Sequence, residues 1–251
     1  MSTLQKATQI MRILAEPPFE YSLTELSLQM DSSKSGLYKL LQGLKQEHFI
    51  VQNASTKKYH LGPINLRFGK VVNRYIGISE IAEPILQHLL QAINETVYVC
   101  VWEGDRVVVV CKRTRPGALY EYHDFIGKSL PPNGGSSGRL LTAYQDETCV
   151  RKLLARNGLE KRTPHTLVDI EDLMEDYRQI REAGYCIEDE TFSLGVMGIS
   201  VPIFDRDQTV QYCLAMNAVR DDETMKNRVP IWLQQLSDAA EEFSYKLQFR
   251  H

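Results

Sequence analysis

The sequence predicts an α+β chain in two parts: a small winged helix-turn-helix over residues 1–62 and a larger α+β body over 79–251, with a linker helix over 63–78 between them. Three observations predict it. Residues 22–62 hold two short helical patterns joined by a tight turn at Asp31-Ser32, followed by strand–turn–strand. Residues 63–77 carry an apolar stripe at helical spacing where a flexible linker would be rich in Ser, Gly and Pro. Beyond residue 79 come a helix, two strands, helices, more strands and a closing helix, the order of one antiparallel sheet covered by helices.

In the front part, Leu4, Ala7, Met11 and Leu14 recur at helical spacing and predict a first helix over 3–16, stopped by Pro17-Pro18. Ser22-Leu23-Thr24-Glu25 reads as a capping box opening a second helix: the serine side chain accepts an early N–H and the glutamate reaches back. Leu23, Leu26, Leu28 and Met30 are its expected core side. Ser33 is the expected cap of the third helix. There Leu37, Leu40, Leu41 and Leu44 fall within an arc of roughly 100°. Ser35, Lys39, Gln42 and Gln46 lie opposite, flanked by Lys34, Tyr38 and Lys45. Gly36 costs about 1 kcal/mol relative to Ala inside a helix; it is either a tolerated first-turn glycine or a place where backbone approaches phosphate. Phe49-Ile50-Val51 and Tyr59-His60-Leu61 read as paired strands, with Lys57 and Lys58 at the tip of the loop between them.

This layout presses one helix into a DNA major groove. Once the leucine arc is buried, the polar face is free to reach phosphates and base edges. Ser35, Tyr38, Lys39 and Gln42 are the candidates for base edges. Lys34, Lys45, Lys57 and Lys58 are the candidates for phosphates, and Ser33 and Gly36 stand at the helix start. The formal net charge is −3, yet through Lys70 nine basic side chains face five acidic ones. A front part four charges positive therefore sits on a body seven negative, as suits a DNA reader attached to something else.

The linker helix carries Ile64, Phe68, Val71, Val72 and Tyr75 on one stripe, which is expected to pair with a neighbouring subunit. In the body, Ile81 to Asn94 reads as a helix, and Thr96 to Trp102 and Arg106 to Lys112 as a hairpin turning at Glu103-Gly104-Asp105. Leu119 to His123 reads as a further strand. Ser136 to Tyr144, Glu147 to Arg156 and Asp169 to Ala183 read as helices, the last ended by Gly184. Tyr185 to Glu188, Ile199 to Phe204 and Val210 to Ala218 read as strands, and 222–248 as one closing helix. Between them, the loop at 133–139 is glycine-rich and enters a helix. Such a start presents unpaired N–H groups suited to a carboxylate or other oxygen-rich group.

Composition narrows the function. The five cysteines are scattered, without a C-x-x-C pair, and read as small hydrophobes of a reducing cytoplasm. No apolar run reaches the roughly 18 residues of a membrane span, so neither membrane association nor export is expected. The six histidines show no metal-ligand spacing, no nucleophile elbow occurs, and neither metal nor cofactor is expected. Glu188, Asp189 and Glu190 are consecutive on a strand and alternate faces, which does not suit paired acid–base catalysis. An enzyme, or a sensor whose winged module binds a protein partner, are the competing readings.

At Ser22-Leu23-Thr24-Glu25-Leu26, Ser33-Lys34-Ser35-Gly36-Leu37-Tyr38-Lys39-Leu40-Leu41 and Tyr59-His60-Leu61-Gly62-Pro63 the chain resembles the isocitrate-lyase-regulator (IclR) family of bacterial transcription regulators. It departs with Gly36 for the family's usual threonine and Lys39 for its usual arginine. The resemblance extends through Pro131 to Arg139, Gly184 to Glu190, Gly195 and Val201 to Asp205, nearly the whole chain. It implies a GAF-like effector-binding domain, no catalysis, a double-stranded operator as partner, and a homodimer or homotetramer. Its effector contacts carry over to Ser136, Ser137, Glu188, Gly198, Ala215 and Asn217, where glycine replaces the family's cysteine and Ala215 and Asn217 replace two serines. The loss of two hydroxyl donors and of the cysteine side chain, which makes room, implies a bulkier or less charged ligand touching Trp102 or Phe125.

Overall fold

The computed structural model describes residues 2–115, 117 and 126–248. The chain forms two compact units, Met1–Gly77 and Ile78–His251.

The first unit runs α1 (Thr3–Leu14), α2 (Leu23–Gln29), α3 (Lys34–Gln46), β1 (Ile50–Gln52), β2 (Tyr59–Leu61) and α4 (Ile64–Ile76). Capping boxes open both α1, at Ser2 and Gln5, and α2, at Ser22 and Glu25. Each satisfies two orphan donors reciprocally. Ile10, Leu14, Leu26, Leu37, Leu41, Ile50 and Tyr59 form one core. Fully burying each such aliphatic side chain stabilises by about 1.5–3 kcal/mol. β1 and β2 pair antiparallel, Ile50 opposite Leu61. Tyr21 bridges to Tyr59 through two backbone hydrogen bonds of 2.9 and 2.7 Å, tying the segment before α2 to the wing.

Three expectations for this unit need correction. α1 stops at Leu14 rather than at residue 16, because its last turn is already closed by the N–H of Ala15. Leu4 is exposed and Ile10 takes the central core position. On α2, Leu28 is 77% exposed while Leu26 is fully buried; two residues apart on a helix means about 200° around the axis, so both cannot face inward.

The second unit runs α5 (Ser79–Ile93), β3 (Thr96–Trp102), β4 (Val107–Arg113), β5 (Ser129–Leu130), α6 (Ser136–Ala143), α7 (Glu147–Asn157), α8 (Ile170–Ala183), β6 (Cys186–Asp189), β7 (Val196–Phe204), β8 (Val210–Val219), α9 (Asp222–Asn227) and α10 (Val229–Gln248). One antiparallel six-stranded sheet has the order β5-β4-β3-β8-β7-β6. β7 is buried on both faces along almost its whole length, because α5 and α10 pack against the sheet, as does α6, itself backed by α8. Gly184 ends α8 at φ +77, in the left-handed region a helix C-terminus favours.

Here too the structure departs from expectation. β7 begins at Val196, three residues before the predicted Ile199, and so takes in Gly198, whose missing side chain hid the strand pattern. The closing helix is two helices broken at Arg228. Pro230 lacks the N–H an uninterrupted helix would use and disfavours helical backbone in the residue before it, so it fits only the first turn of a new helix. The strand expected at Leu119 to His123 lies outside the described residues. No helix among the described residues is long and apolar enough to cross a membrane.

Candidate functional site

Two places gather the candidate residues. The first is α3 with the wing. Leu37 and Leu41 are buried, and Leu40 and Leu44 pack against the same core, which fixes the rotation of the helix. Lys34, Ser35, Gly36, Tyr38, Lys39 and Lys45 are consequently exposed within the unit, and Gln42 is half-buried. Ser33 stands at the cap position with extended backbone, but its hydroxyl makes no capping hydrogen bond. It lies instead 3.3 Å from where a Cβ on Gly36 would stand. The first amides of α3 therefore have no side-chain cap.

The wing tip is more ordered than its sequence suggests. The side chain of Asn53 accepts from the N–H of Ser55 (2.8 Å) and of Thr56 (3.1 Å), an Asx turn. Gln52 Nε2 donates to the Lys57 carbonyl at 3.0 Å, and Lys57 adopts φ +58. Asn53 and Gln52 thus set the direction in which Lys57, exposed, and Lys58, half-buried, leave the loop.

The second place is a cavity under the start of α6. Its free volume is about 30 Å³, and Thr96, Tyr98, Val109, Lys112, Leu130, Gly135, Ser137, Glu188, Phe192 and Asn217 line it. Strand register explains the gathering: Tyr98 pairs with Ala215, Thr96 with Asn217, Gly198 with Asn217 and Glu188 with Gly198. These positions share one face of the sheet, because neighbours across strands point the same way. α6 lies over them, and every one of its residues is buried. A Cβ on Gly138 would collide with the Pro131 carbonyl oxygen, so only glycine lets the 131–135 loop fold back onto the helix. Asn133 Nδ2 donates to the carbonyls of Glu160 and Leu167 (3.1 and 2.9 Å), and Tyr177 donates to that of Pro132 (2.8 Å).

Ser137 donates to the Tyr98 hydroxyl at 3.5 Å, and Tyr98 donates to Asn217 Oδ1 at 3.0 Å. Ser136 Oγ is buried with no hydrogen-bond partner among the described residues. Glu188 is 3% exposed; its Oε1 accepts from the N–H of Phe192 at 2.8 Å. Burial pushes its carboxyl up to about 7, against the opposing pull of the Phe192 N–H, the Arg139 charge and the Ser136 N–H. Arg139, on α6, is itself buried and paired with Asp176 of α8, its Nε donating to Oδ2 at 2.9 Å. Asp189 points the other way and pairs with Arg220 at 3.0 Å.

Of the six residues expected from the resemblance, Ser137, Glu188 and Asn217 line the cavity and Ser136 lies beside it. Ala215 is fully buried in the core behind Tyr98 and does not line it. Gly198 corrects an expectation: it leaves no room. A Cβ there would stand 2.7 Å from Asn217 Oδ1, 3.2 Å from Ser136 Oγ and 3.3 Å from Glu188 Oε2, so neighbouring oxygens already fill the space. Trp102 does not reach the cavity; it lines a separate surface groove with Gln145 and Arg156, since four residues along a strand from Tyr98 is about 13 Å. Phe125 lies outside the described residues. Sequence reasoning missed Thr96, Tyr98 and Phe192. The alternation of the 96–102 strand carried a signal for the first two; nothing local marked Phe192. Among the described residues no group of three or more His, Cys, Asp and Glu is placed to hold a metal ion.

The chain matches the family model for the IclR helix-turn-helix domain over residues 3–54 and that for the bacterial transcriptional regulator IclR C-terminal domain over residues 70–245. It is 29% identical over 230 residues to the HTH-type transcriptional regulator XynR of Escherichia coli (strain K12), covering 90% of this chain and 91% of that one. It is also 29% identical over 206 residues to the transcriptional repressor IclR of the same strain, covering 82% and 75%. Among solved structures, an IclR homolog from Microbacterium hydrocarbonoxydans complexed with 4-hydroxybenzoate shares the fold with a TM-score of 0.81 at 18% identity, covering 98% of this chain and 99% of that one. The Thermotoga maritima IclR aligns with a TM-score of 0.73 at 25% identity, covering 98% and 99%.

Proposed function

The chain belongs to the IclR family of bacterial transcriptional regulators, and from that premise we propose how it reads DNA and where it senses a small molecule. It is an IclR-type regulator with a helix-turn-helix DNA-binding domain and a C-terminal effector-binding domain; members of the family regulate transcription and are not enzymes. In our reading residues 1–62 bind DNA, 63–78 link and dimerise, and 79–251 bind the effector. α3 enters the major groove, with Ser35, Tyr38, Lys39 and Gln42 against base edges. Lys34, Lys45, Lys57 and Lys58 hold phosphates, joined by the uncapped amides that follow Ser33 and Gly36. The observation that carries this is the polar, lysine-bearing flank of α3, left uncovered within its unit by burial of Leu37 and Leu41.

Leu66, Phe68, Val71 and Val72 of α4 are exposed within their own unit. We infer that a second copy of the chain covers them, as a dimer or a pair of dimers. Two recognition helices would then stand about 34 Å or a multiple apart, and the operator would be a palindrome. The effector would occupy the cavity lined by Ser137, Glu188 and Asn217, with Ser136 beside it, and the complex of an IclR homolog with 4-hydroxybenzoate is the precedent for a small organic ligand. The relative named a repressor is the precedent for repression, and the cytoplasm is the compartment a DNA regulator requires. A mobility-shift titration of the full chain on its own upstream DNA, at fixed salt because phosphate contacts are salt-dependent, tests the DNA reading. We expect binding at least tens of times tighter than to an unrelated duplex; equal affinity for both would refute it.

A further inference from the structure

The start of α4 is fastened to the end of α3 through residues that belong to neither helix. Phe49, just before β1, donates its N–H to the Leu44 carbonyl in the last turn of α3 at 2.9 Å. Its own carbonyl accepts from the N–H of Gly62, just after β2, at 2.7 Å. A Cβ on Gly62 would stand 2.1 Å from the His48 carbonyl oxygen, so only glycine lets the two ends of the wing lie this close. Asn65, in the first turn of α4, closes the junction: its Nδ2 donates to the carbonyls of Phe49 and Gly62, both at 2.8 Å. Three residues on, the ring of Phe68 stacks on that of Phe49, with centroids 5.7 Å and planes 29° apart. Both carbonyls already accept a backbone N–H, from Gly62 and from Asn65 itself, at 2.7 and 3.2 Å. The Asn65 amide is therefore not needed to satisfy the backbone. What it adds is a fixed angle, because both hydrogens of one planar group are committed to carbonyls on two different segments.

We propose that Asn65 is a specificity-determining residue for operator spacing: by holding α4 rigidly to the recognition helix, it makes a pair of chains read the distance between half-sites as well as their sequence. The proposal rests on α3 reading DNA and on α4 pairing two chains through Leu66, Val71 and Val72, which are exposed within the unit. Given both, the direction of α4 relative to α3 decides where the two recognition helices stand. One base pair inserted between half-sites moves one of them about 3.4 Å along the duplex and turns it by about 35°. A rigid junction cannot follow that turn without breaking a contact, and a loosened one can. Asn65 lies on the linker helix and not on α3, so it acts on spacing without changing which bases each helix meets.

The test uses the full chain and three duplexes: the operator from its own upstream DNA, the same operator with one base pair inserted at its centre, and a single half-site. The wild-type chain should bind the inserted duplex tens of times more weakly than the operator. In Asn65→Ala that penalty should shrink by roughly tenfold, the worth of the two hydrogen bonds removed. Half-site affinity and the thermal unfolding midpoint should stay near wild-type, since both carbonyls keep their backbone partners. Asn65→Asp, of equal size but with no hydrogen to give, should shrink the penalty at least as far. An unchanged penalty in both variants overturns the proposal, as does a wild-type chain that binds the inserted duplex as tightly as the operator. Half-site affinity lost in step with operator affinity would make Asn65 a support of the reading unit itself, and overturns it too. A wild-type chain with no preference for its operator over unrelated DNA, or one that binds it as a single copy, removes the premise and the proposal together.

Discussion

α3 and α6 are both short helices that open on serines, and both carry functional candidates on their polar residues, but they solve opposite problems. α3 buries one leucine arc and leaves Lys39, Tyr38 and Ser35 in solvent. α6 is buried on every side, so each polar side chain on it needs a partner from elsewhere in the fold. Arg139 finds Asp176, Ser137 finds Tyr98, and Ser136 finds none among the described residues. An exposed face can be changed without cost to the fold and is free to evolve specificity. A buried polar layer links whatever it binds to the stability of the domain around it.

The comparison breaks most sharply at Arg139. Arg139→Ala strands Asp176 in the interior, and removing one partner of a buried pair costs about 3–5 kcal/mol; urea unfolding of the body should show the loss, whereas the same truncation at Lys39 should stay within about 0.5 kcal/mol. A small effect at Arg139 would mean the pair is hydrated.

Glu188 gives the next largest effect. Its folded carboxyl is raised from 4.5 to about 7, so between those values the folded state holds a proton that the unfolded state has released. Its contribution to stability is present below pH 4.5 and is lost as pH rises through about 7. The body should weaken by on the order of 3 kcal/mol across that window, and Glu188→Gln should flatten the slope. An unchanged profile in the variant would show that other groups set it.

On the α3 side the effects appear in binding. Gln42→Ala should cost roughly 1–3 kcal/mol on the cognate operator and little on unrelated DNA, whereas Lys57→Ala should weaken both alike and lower the salt slope by about 1. Anisotropy titrations over a salt series would separate the two, and the opposite pattern would exchange their roles. The smallest effect belongs to the cap of α2: Ser22→Ala removes half of a capping box and should cost about 1 kcal/mol in thermal unfolding of the front unit.

The two regions also differ in how far the sequence announced them. The α3 face was readable because periodicity alone decides which side of an amphipathic helix is inward. The capping box at Ser22, the hairpin at Gly104 and the end of α8 at Gly184 were readable for the same reason, being chemistry between residues a few positions apart. Leu4 and Leu28 misled because one apolar residue says nothing of its phase without its neighbours. The α6 cavity was only half legible. Its residues come from β3, β4, β5, α6, β6, β8 and two loops, and strand order decides that they meet. Gly198 looked like vacated space in the sequence, and only the register of β7 against β8 shows that Asn217 stands there. Phe192 and the Arg139–Asp176 pair have no local pattern at all.

The most direct test pairs two readings on one variant, Lys39→Ala with Gln42→Ala, which changes only the outward flank of α3. The prediction is an unfolding free energy within about 0.5 kcal/mol of the wild-type chain together with loss of preference for its own operator over unrelated DNA. Intact operator preference in that variant would contradict the assignment of this helix as the reading element.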